Sequence, residues 1–541
     1  MRSRFKIRGP GLAIHNSQFA IHNSRWTSGP ALVLYLGAAK LALHLLTARR
    51  YGYFRDELYF IDCGKHLDWG YVDLPPLLPA ITRLVGAWLG PSLTALRSGP
   101  AAAGALKVAL AGWIARELGG GQFAQALATL AVLVAPGYLA ADHLLTMNAF
   151  EPVFWTACAL VFIRLVKTEK PRLWLWFGAL AGLGLENKYS MFLFGASFVC
   201  GLLLARQGKF FLDRWIWLGG FVAFLLFLPN LAWEVHRGFP TLEFLRNHRL
   251  SPTNVSLTPF EFLAEQVLLV HPLTCPLWMA GLWYYLGTED GKPYRTLGWT
   301  FVGVLSVLLV VKGRVYYLLP AYPMLLGSGA VLAERTLGAN YRLLTRAAQP
   351  SRLAGWARAA YVAALVLGGV FLAPFALPVL PVNTYIRYSK TLDLDPPDIE
   401  NRKLGSLPQL YADMFGWDEM AAAVAGVYHS LPANERDRAA VFANNYGEAG
   451  AIDFFGSKYG LPEAICPHQN YFYWGPKYYT GESLILLGHN PTLEKECTAE
   501  EQAGFVRSDY SMPDENFPIL LCHGLKRPLN RIWPGLKTWR P

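Results

Sequence analysis

Charge is scarce in this chain. Asp, Glu, Lys and Arg make up 16% of its 541 residues, where an ordinary soluble protein has about 25%. Hydrophobic residues reach 53%, which excludes an ordinary soluble globular chain and points to a membrane protein of more than one domain. The seven cysteines include no CxxC pair, so no zinc module is indicated. HxxxH and HExxH are both absent, and His143 and His271 stand alone, so no dedicated metal site is expected. The sequence calls for no cofactor and leaves open only a divalent cation. A P-loop is missing, which argues against an ATP-driven pump, and GxGxxG is missing too.

The N-terminus lacks a long apolar h-region and a clear cleavage site, so it does not read as a signal peptide. Instead AIHNSQF at 13–19 is nearly repeated as AIHNSRW at 20–26. Residues 1–28 are expected to be a disordered extension.

Apolar runs of membrane length fill the next part. They cover about 30–48, 98–116, 122–141, 149–166, 172–187, 189–205, 215–233, 260–286, 296–311, 314–333 and 359–381. That gives eleven helices, or thirteen if short ones pair as half-spans. Residues 77–96, interrupted by Arg83, read as an interfacial helix. After Pro381 the composition turns polar, with turn signals and mixed periods. ESLILLG at 482–488 and FPILLCHG at 517–524 read as strands, and Asp418 to Leu431 as a helix. The expected architecture is an all-α polytopic membrane domain at 29–384 followed by a small α+β extracytoplasmic domain at 385–541.

The net charge is +11. The cations are spread between apolar spans rather than gathered in a patch, so nucleic acid is not the expected partner. An N-terminus in the cytoplasm puts Lys167, Lys170, Arg172, Arg206, Lys209, Arg214 and the arginines at 335–358 inside, the favoured sign. The odd helix count then places the C-terminal region outside a plasma (inner) membrane. Two of Cys466, Cys497 and Cys522 could there form a disulfide. The outer loops still hold cations, among them Arg55, Lys65, Lys188, Lys312 and Arg314, which either serve chemistry or snorkel to lipid head groups.

Four polar segments reach the outer ends of the spans: RDE at 55–57 with DLPP at 73–76, DHLLTMNAFEP at 142–152, ENKYS at 186–190 and KGRVYYLLPAYP at 312–323. Charge at membrane depth is costly and points to function. Asp56 and Glu57 are the catalytic candidates, with Asp56 as base. Adjacent acids on a helix point different ways, so the second would position the first or bind a hydroxyl. The same pair also fits a helix start, where the dipole favours acids. Lys188, Lys312 and Arg314 are candidate phosphate ligands, and Arg55 and Lys65 candidate substrate-binding residues; KGR also fits a positive helix end. Tyr316 and Tyr317 suit a sugar or lipid groove, or an interfacial aromatic belt. Asn148 and Glu151 open a span and suit either substrate or a helix cap.

At these residues the chain resembles the GT-C membrane glycosyltransferases. It looks most like the family 39, protein O-mannosyltransferase-like group, and more distantly like the lipid A aminoarabinose transferase. The motifs are RDELYFIDCGKHLDWGYVDLPPLLPAITRL at 55–84, TMNAFEPVFW at 146–155, LGLENKYSMF at 183–192 and KGRVYYLLPAYPML at 312–325. NYGEAGAIDFFG at 445–456 and NYFYWGP at 470–476 resemble the tail of bacterial members. The resemblance implies a polyprenyl-phosphate-linked sugar as donor, a lipid, glycan or protein as acceptor, inversion at the anomeric carbon, and roles for Asp56, Glu57 and Asp73. One departure stands out. Asn148 occupies a place where relatives often have Asp, which weakens the case for a metal held between the first two outer loops. The alternatives are a transporter or flippase of a lipid-linked sugar, for which no internal repeat is seen, and a scaffold whose aromatic tail binds a partner.

Overall fold

The structure is a computed structural model that describes residues 28–253, 255–345, 352–394 and 400–540. The expected disordered extension lies, apart from Ser28, outside the described residues.

Each apolar run folds as helix. α1 (Gly29–Thr47), α2 (Arg55–Lys65) and α3 (Leu77–Leu89) open the chain. They are followed by α4 (Leu93–Glu117), α5 (Gln122–Val134), the short α6 (Pro136–Ala141) and α7 (Met147–Thr168). Next come α8 (Leu173–Asn187), α9 (Ser190–Leu204), α10 (Arg214–His236) and α11 (Pro240–Leu250). α12 (Pro259–Leu269), α13 (Cys275–Gly287), α14 (Arg295–Val311), α15 (Tyr322–Thr345) and α16 (Arg352–Leu372) complete the bundle. Among the described residues, six helices are long and apolar enough to cross a bilayer: α1, α7, α10, α14, α15 and α16. The chain is a multi-pass membrane protein. The run 260–286 is not one straight helix. α12 and α13 meet at 100°, where His271 takes a φ of 82° and Pro272 cannot continue the ladder.

Contacts between helix ends sort the loops into two sides. At one end, Arg49 Nε donates to Thr94 Oγ1 at 3.0 Å, Asn187 Nδ2 to the Met147 carbonyl at 3.0 Å, and Trp233 Nε1 to Asp68 Oδ2 at 2.8 Å. At the other end, Arg164 and Lys167 meet Glu117, and Arg335 meets Asp290. At the first end, the Leu145 N–H also donates to Glu57 Oε1 at 2.9 Å and the Tyr317 ring lies 4.5 Å from the Lys188 ammonium, so the four polar segments share one end of the bundle.

The C-terminal α+β region packs on that end. Its sheet has the order β1 (Ala439–Phe442), β2 (Ser483–Leu487), β4 (Pro518–Leu525) and β3 (Cys497–Phe505). β1 and β2 are parallel and the other pairs antiparallel. Residues alternate between faces, as the strand period requires. Val441, Ile485, Leu487, Ile519 and Leu521 join the core that contains α2, through the helices Trp417–Ser430 and Tyr446–Phe455. Phe442, Leu484, Leu486 and Leu520 face Leu529, Ile532 and Trp533 instead. The motif NYFYWGP is spent on this interface. Trp474 stacks on His66 at 4.4 Å and the Tyr471 hydroxyl donates to Asp62.

Cys497 and Cys522 are the disulfide pair, and Cys466 is free and buried. The bridge closes a loop with a sequence separation of 25. Cys497→Ser is expected to cost the C-terminal region about 3 kcal/mol, measured as unfolding with and without reductant.

Candidate active site

α2 carries the first-loop acids. Glu57 Oε2 accepts the Phe54 N–H at 2.9 Å and closes the helix start, where the dipole favours both Asp56 and Glu57. The helix Tyr446–Phe455 lies against α2 very closely. A Cβ on Gly450 would stand 2.9 Å from the Leu58 backbone carbon, and one on Gly447 would stand 2.5 Å from the Arg55 side chain. This approach brings Tyr446 to Asp56.

The Tyr446 hydroxyl donates to Asp56 Oδ1 at 2.8 Å. Arg55 Nε lies 3.6 Å from the same oxygen, and its guanidinium rests over the Tyr446 ring. The Asp56 side chain keeps 29% of its surface open, which a base needs if it is to meet a substrate. Asp73 accepts the Tyr59 hydroxyl at 2.9 Å, and the Tyr59 ring lies 4.9 Å from that of Tyr446. Burial, with the Asp56 charge nearby, pushes the Asp73 carboxyl up to about 7.

Glu400 centres a second group. Arg55, Arg314 and Arg402 stand 3.8, 3.6 and 3.7 Å from its carboxylate, at ion-pair rather than hydrogen-bond distance. Burial alone would raise this carboxyl, but Arg55 and Arg314 outweigh it and hold it below its usual range. Arg55, Glu400 and Arg402, with Thr253, Asn445, Tyr446 and His468, line a cavity of about 80 Å³ beside Asp56.

Lys188 centres a third. Its Nζ donates to Asn148 Oδ1 at 2.7 Å and to Glu151 Oε2 at 2.8 Å. The Tyr317 ring lies 4.5 Å from that ammonium and the Tyr316 ring 5.8 Å. Tyr316 and Tyr317 also neighbour Arg314, which joins this group to the arginines around Glu400.

Three sequence candidates fall elsewhere. Glu57 is fully buried and bound on both oxygens: Oε1 accepts Arg97 Nε at 3.0 Å and the Leu145 N–H at 2.9 Å, and Oε2 accepts Arg97 Nη2 at 2.8 Å. It has no free face for a substrate. Lys65 pairs with Asp62 at 2.7 Å, against the C-terminal region and away from Asp56. Lys312 is an exposed C-cap of α14 with a φ of 54°, the positive helix end that KGR also suggested.

A divalent cation does not fit these residues. Among the described residues no three His, Cys, Asp or Glu side chains converge to hold one. The Lys188 ammonium already stands between Asn148 and Glu151.

Residues 73–233 match the sequence model of the dolichyl-phosphate-mannose-protein mannosyltransferase family. That segment includes Asp73, Asn148, Glu151 and Lys188. The structure of ArnT from Cupriavidus metallidurans bound to undecaprenyl phosphate superposes with a TM-score of 0.58 at 14% identity, over 91% of this chain and 98% of that one. Its apo form gives the same score and identity over 94% and 98%. The chain has the GT-C membrane glycosyltransferase fold. The apo oligosaccharyltransferase of Archaeoglobus fulgidus matches this GT-C chain with a TM-score of 0.51 at 12% identity, over 79% of this chain and 63% of that one. No curated protein matches it by sequence.

Sequence reasoning about this GT-C chain missed Tyr446, Glu400, Arg402 and Arg97. Tyr446 lies inside NYGEAG, where the two glycines were the available signal. Glu400 sits in a stretch with no periodicity and takes its place from the Gln409 amide, which donates to its Oε2 at 3.0 Å, and from three arginines, two of them distant in sequence.

The buried acids predict a pH dependence. Burial, with Asp62 close by, pushes Asp453 up to about 8, alongside Asp73 at about 7. An acid whose pKa rises on folding stabilises the fold fully below its unfolded pKa of about 4 and loses that contribution as pH climbs through the folded value. The melting temperature of the detergent-solubilised protein should fall by a few degrees between pH 5 and 8.5, and Asp453→Asn should flatten the slope.

Proposed function

We propose that the chain moves a monosaccharide from a polyprenyl-phosphate donor to a hydroxyl of a lipid, glycan or protein, at the extracytoplasmic face, with inversion. The N-terminus is then cytoplasmic and the C-terminal region, from about residue 385, lies outside. The observation that carries the reading is a partly open Asp56 carboxylate beside a cavity lined by Arg55 and Arg402, at the same end of the bundle as Lys188.

The acceptor oxygen forms a bond to the anomeric carbon as the bond from that carbon to the phosphate oxygen breaks. Asp56 takes the acceptor proton, and the lipid phosphate leaves with the electron pair. Phosphate is a good leaving group, so the departure needs neutralisation more than a general acid, and Arg55, Arg314, Arg402 and Lys188 are the cations available. Tyr446 holds the base in place, while Tyr316 and Tyr317 offer faces for a sugar or a prenyl chain. Turnover of a polyprenyl-phosphate sugar in proteoliposomes, with and without Asp56→Asn, tests the reading. Normal turnover in that variant removes Asp56 from the mechanism.

A further inference from the structure

A second cavity, lined mainly by charged side chains, lies far from these residues. It measures about 370 Å³ and is lined by Trp113, Arg116, Glu117, Arg164 and Lys167. α7 begins next to Asn148, beside Lys188, and ends at this cavity, about 33 Å away at 1.5 Å per residue over its 22 residues. The cavity therefore opens at the opposite membrane face, between the C-terminal turns of α4 and α7.

Its charges are unequal, with three cations around one acid. Glu117 takes Arg164 Nε at 2.9 Å and Lys167 Nζ at 3.1 Å, and Lys167 also caps the Glu117 carbonyl at 2.9 Å. The two terminal amino groups of Arg164 are not used in that pairing. Arg116 is exposed and has no ion-pair partner among the described residues. The two helix ends carry partial negative charge, which accounts for one of the cations and not for three. Guanidinium forks match phosphate oxygens, and basic pockets between membrane helices at a bilayer surface bind anionic head groups. Trp113 adds an indole of the kind that settles at the interface.

We propose that this cavity is a phosphate-binding site for the head group of an anionic phospholipid, separate from the proposed donor site. Arg116 and Arg164 bind the phosphate oxygens, Lys167 adds charge, and Glu117 sets the affinity by competing for the same cations. The inference does not depend on the transferase reading.

Native mass spectrometry of the full chain in neutral detergent tests it, with phosphatidylglycerol, phosphatidylcholine or inorganic phosphate as the probe. Phosphatidylglycerol adducts should exceed phosphatidylcholine adducts, fall at least about fivefold in the Arg116→Ala/Arg164→Gln variant, and rise in Glu117→Gln. A melting-temperature gain with millimolar inorganic phosphate, lost in the double variant, would support the same site with free phosphate as its source. Equal phosphatidylglycerol retention in all three proteins, with no phosphate-dependent gain, overturns the proposal. If the double variant fails to fold, Glu117→Gln decides alone: no rise in adducts or phosphate response overturns it.

Discussion

Asp56→Asn is expected to lower sugar transfer by about 10²–10⁴-fold, the usual contribution of a positioned general base. The substitution is close to isosteric. The amide oxygen it introduces can still accept the Tyr446 hydroxyl, so the geometry at the start of α2 is kept. Arg55 loses one ion-pair partner at 3.6 Å but keeps Glu400. The lost pair is partly solvated, and its cost to stability should stay within about 1 kcal/mol. A large loss of turnover with an unchanged melting temperature is therefore the signature expected. Tyr446→Phe should cost much less, because it removes a positioning hydrogen bond and leaves the base. If Asp56→Asn and Tyr446→Phe lose the same amount, Asp56 acts through structure rather than by taking a proton.

The membrane architecture was legible because hydrophobic runs report directly on the bilayer. The break between α12 and α13 was also visible, in His271-Pro272, but mean hydropathy across the run hid it. In the C-terminal region, β2 and β4 are apolar and were found, as was the helix after Gly416. β3 was missed because it is an edge strand with mostly exposed residues, so CTAEEQAGF carries no buried pattern. β1 is only four residues, AAVF, too short to show a period. The convergence of the four polar segments was readable from topology. Their chemistry was only half readable, since consecutive residues on a helix point about 100° apart and nothing local says which faces the core. For Asp56 and Glu57 that choice is made by Arg97, on another helix.

Arg97 yields the largest expected effect on stability. Its guanidinium is buried and fully used. Nε and Nη2 donate to Glu57 at 3.0 and 2.8 Å, Nη1 to the Ala48 carbonyl and His143 Nε2, both at 3.0 Å, and Nη2 also to the Gly52 carbonyl at 2.9 Å. One side chain thus ties the end of α1, the approach to α2, the start of α2 and the turn after α6. Arg97→Ala leaves the Glu57 charge buried without its cation, and loss of one partner of a buried pair costs about 3–5 kcal/mol. Removing both charges avoids that penalty, so Arg97→Met/Glu57→Leu should be more stable than Arg97→Ala despite two changes. Thermal unfolding in detergent of the parent, Arg97→Met, Glu57→Leu and the double variant, arranged as a double-mutant cycle, reads the coupling. Additive losses would mean that the pair is not the clasp. With the clasp intact, Glu57 is fixed facing the core, and the next residue back on α2 is left facing Tyr446 and the open cavity: the site's orientation is set by a contact that itself touches no substrate.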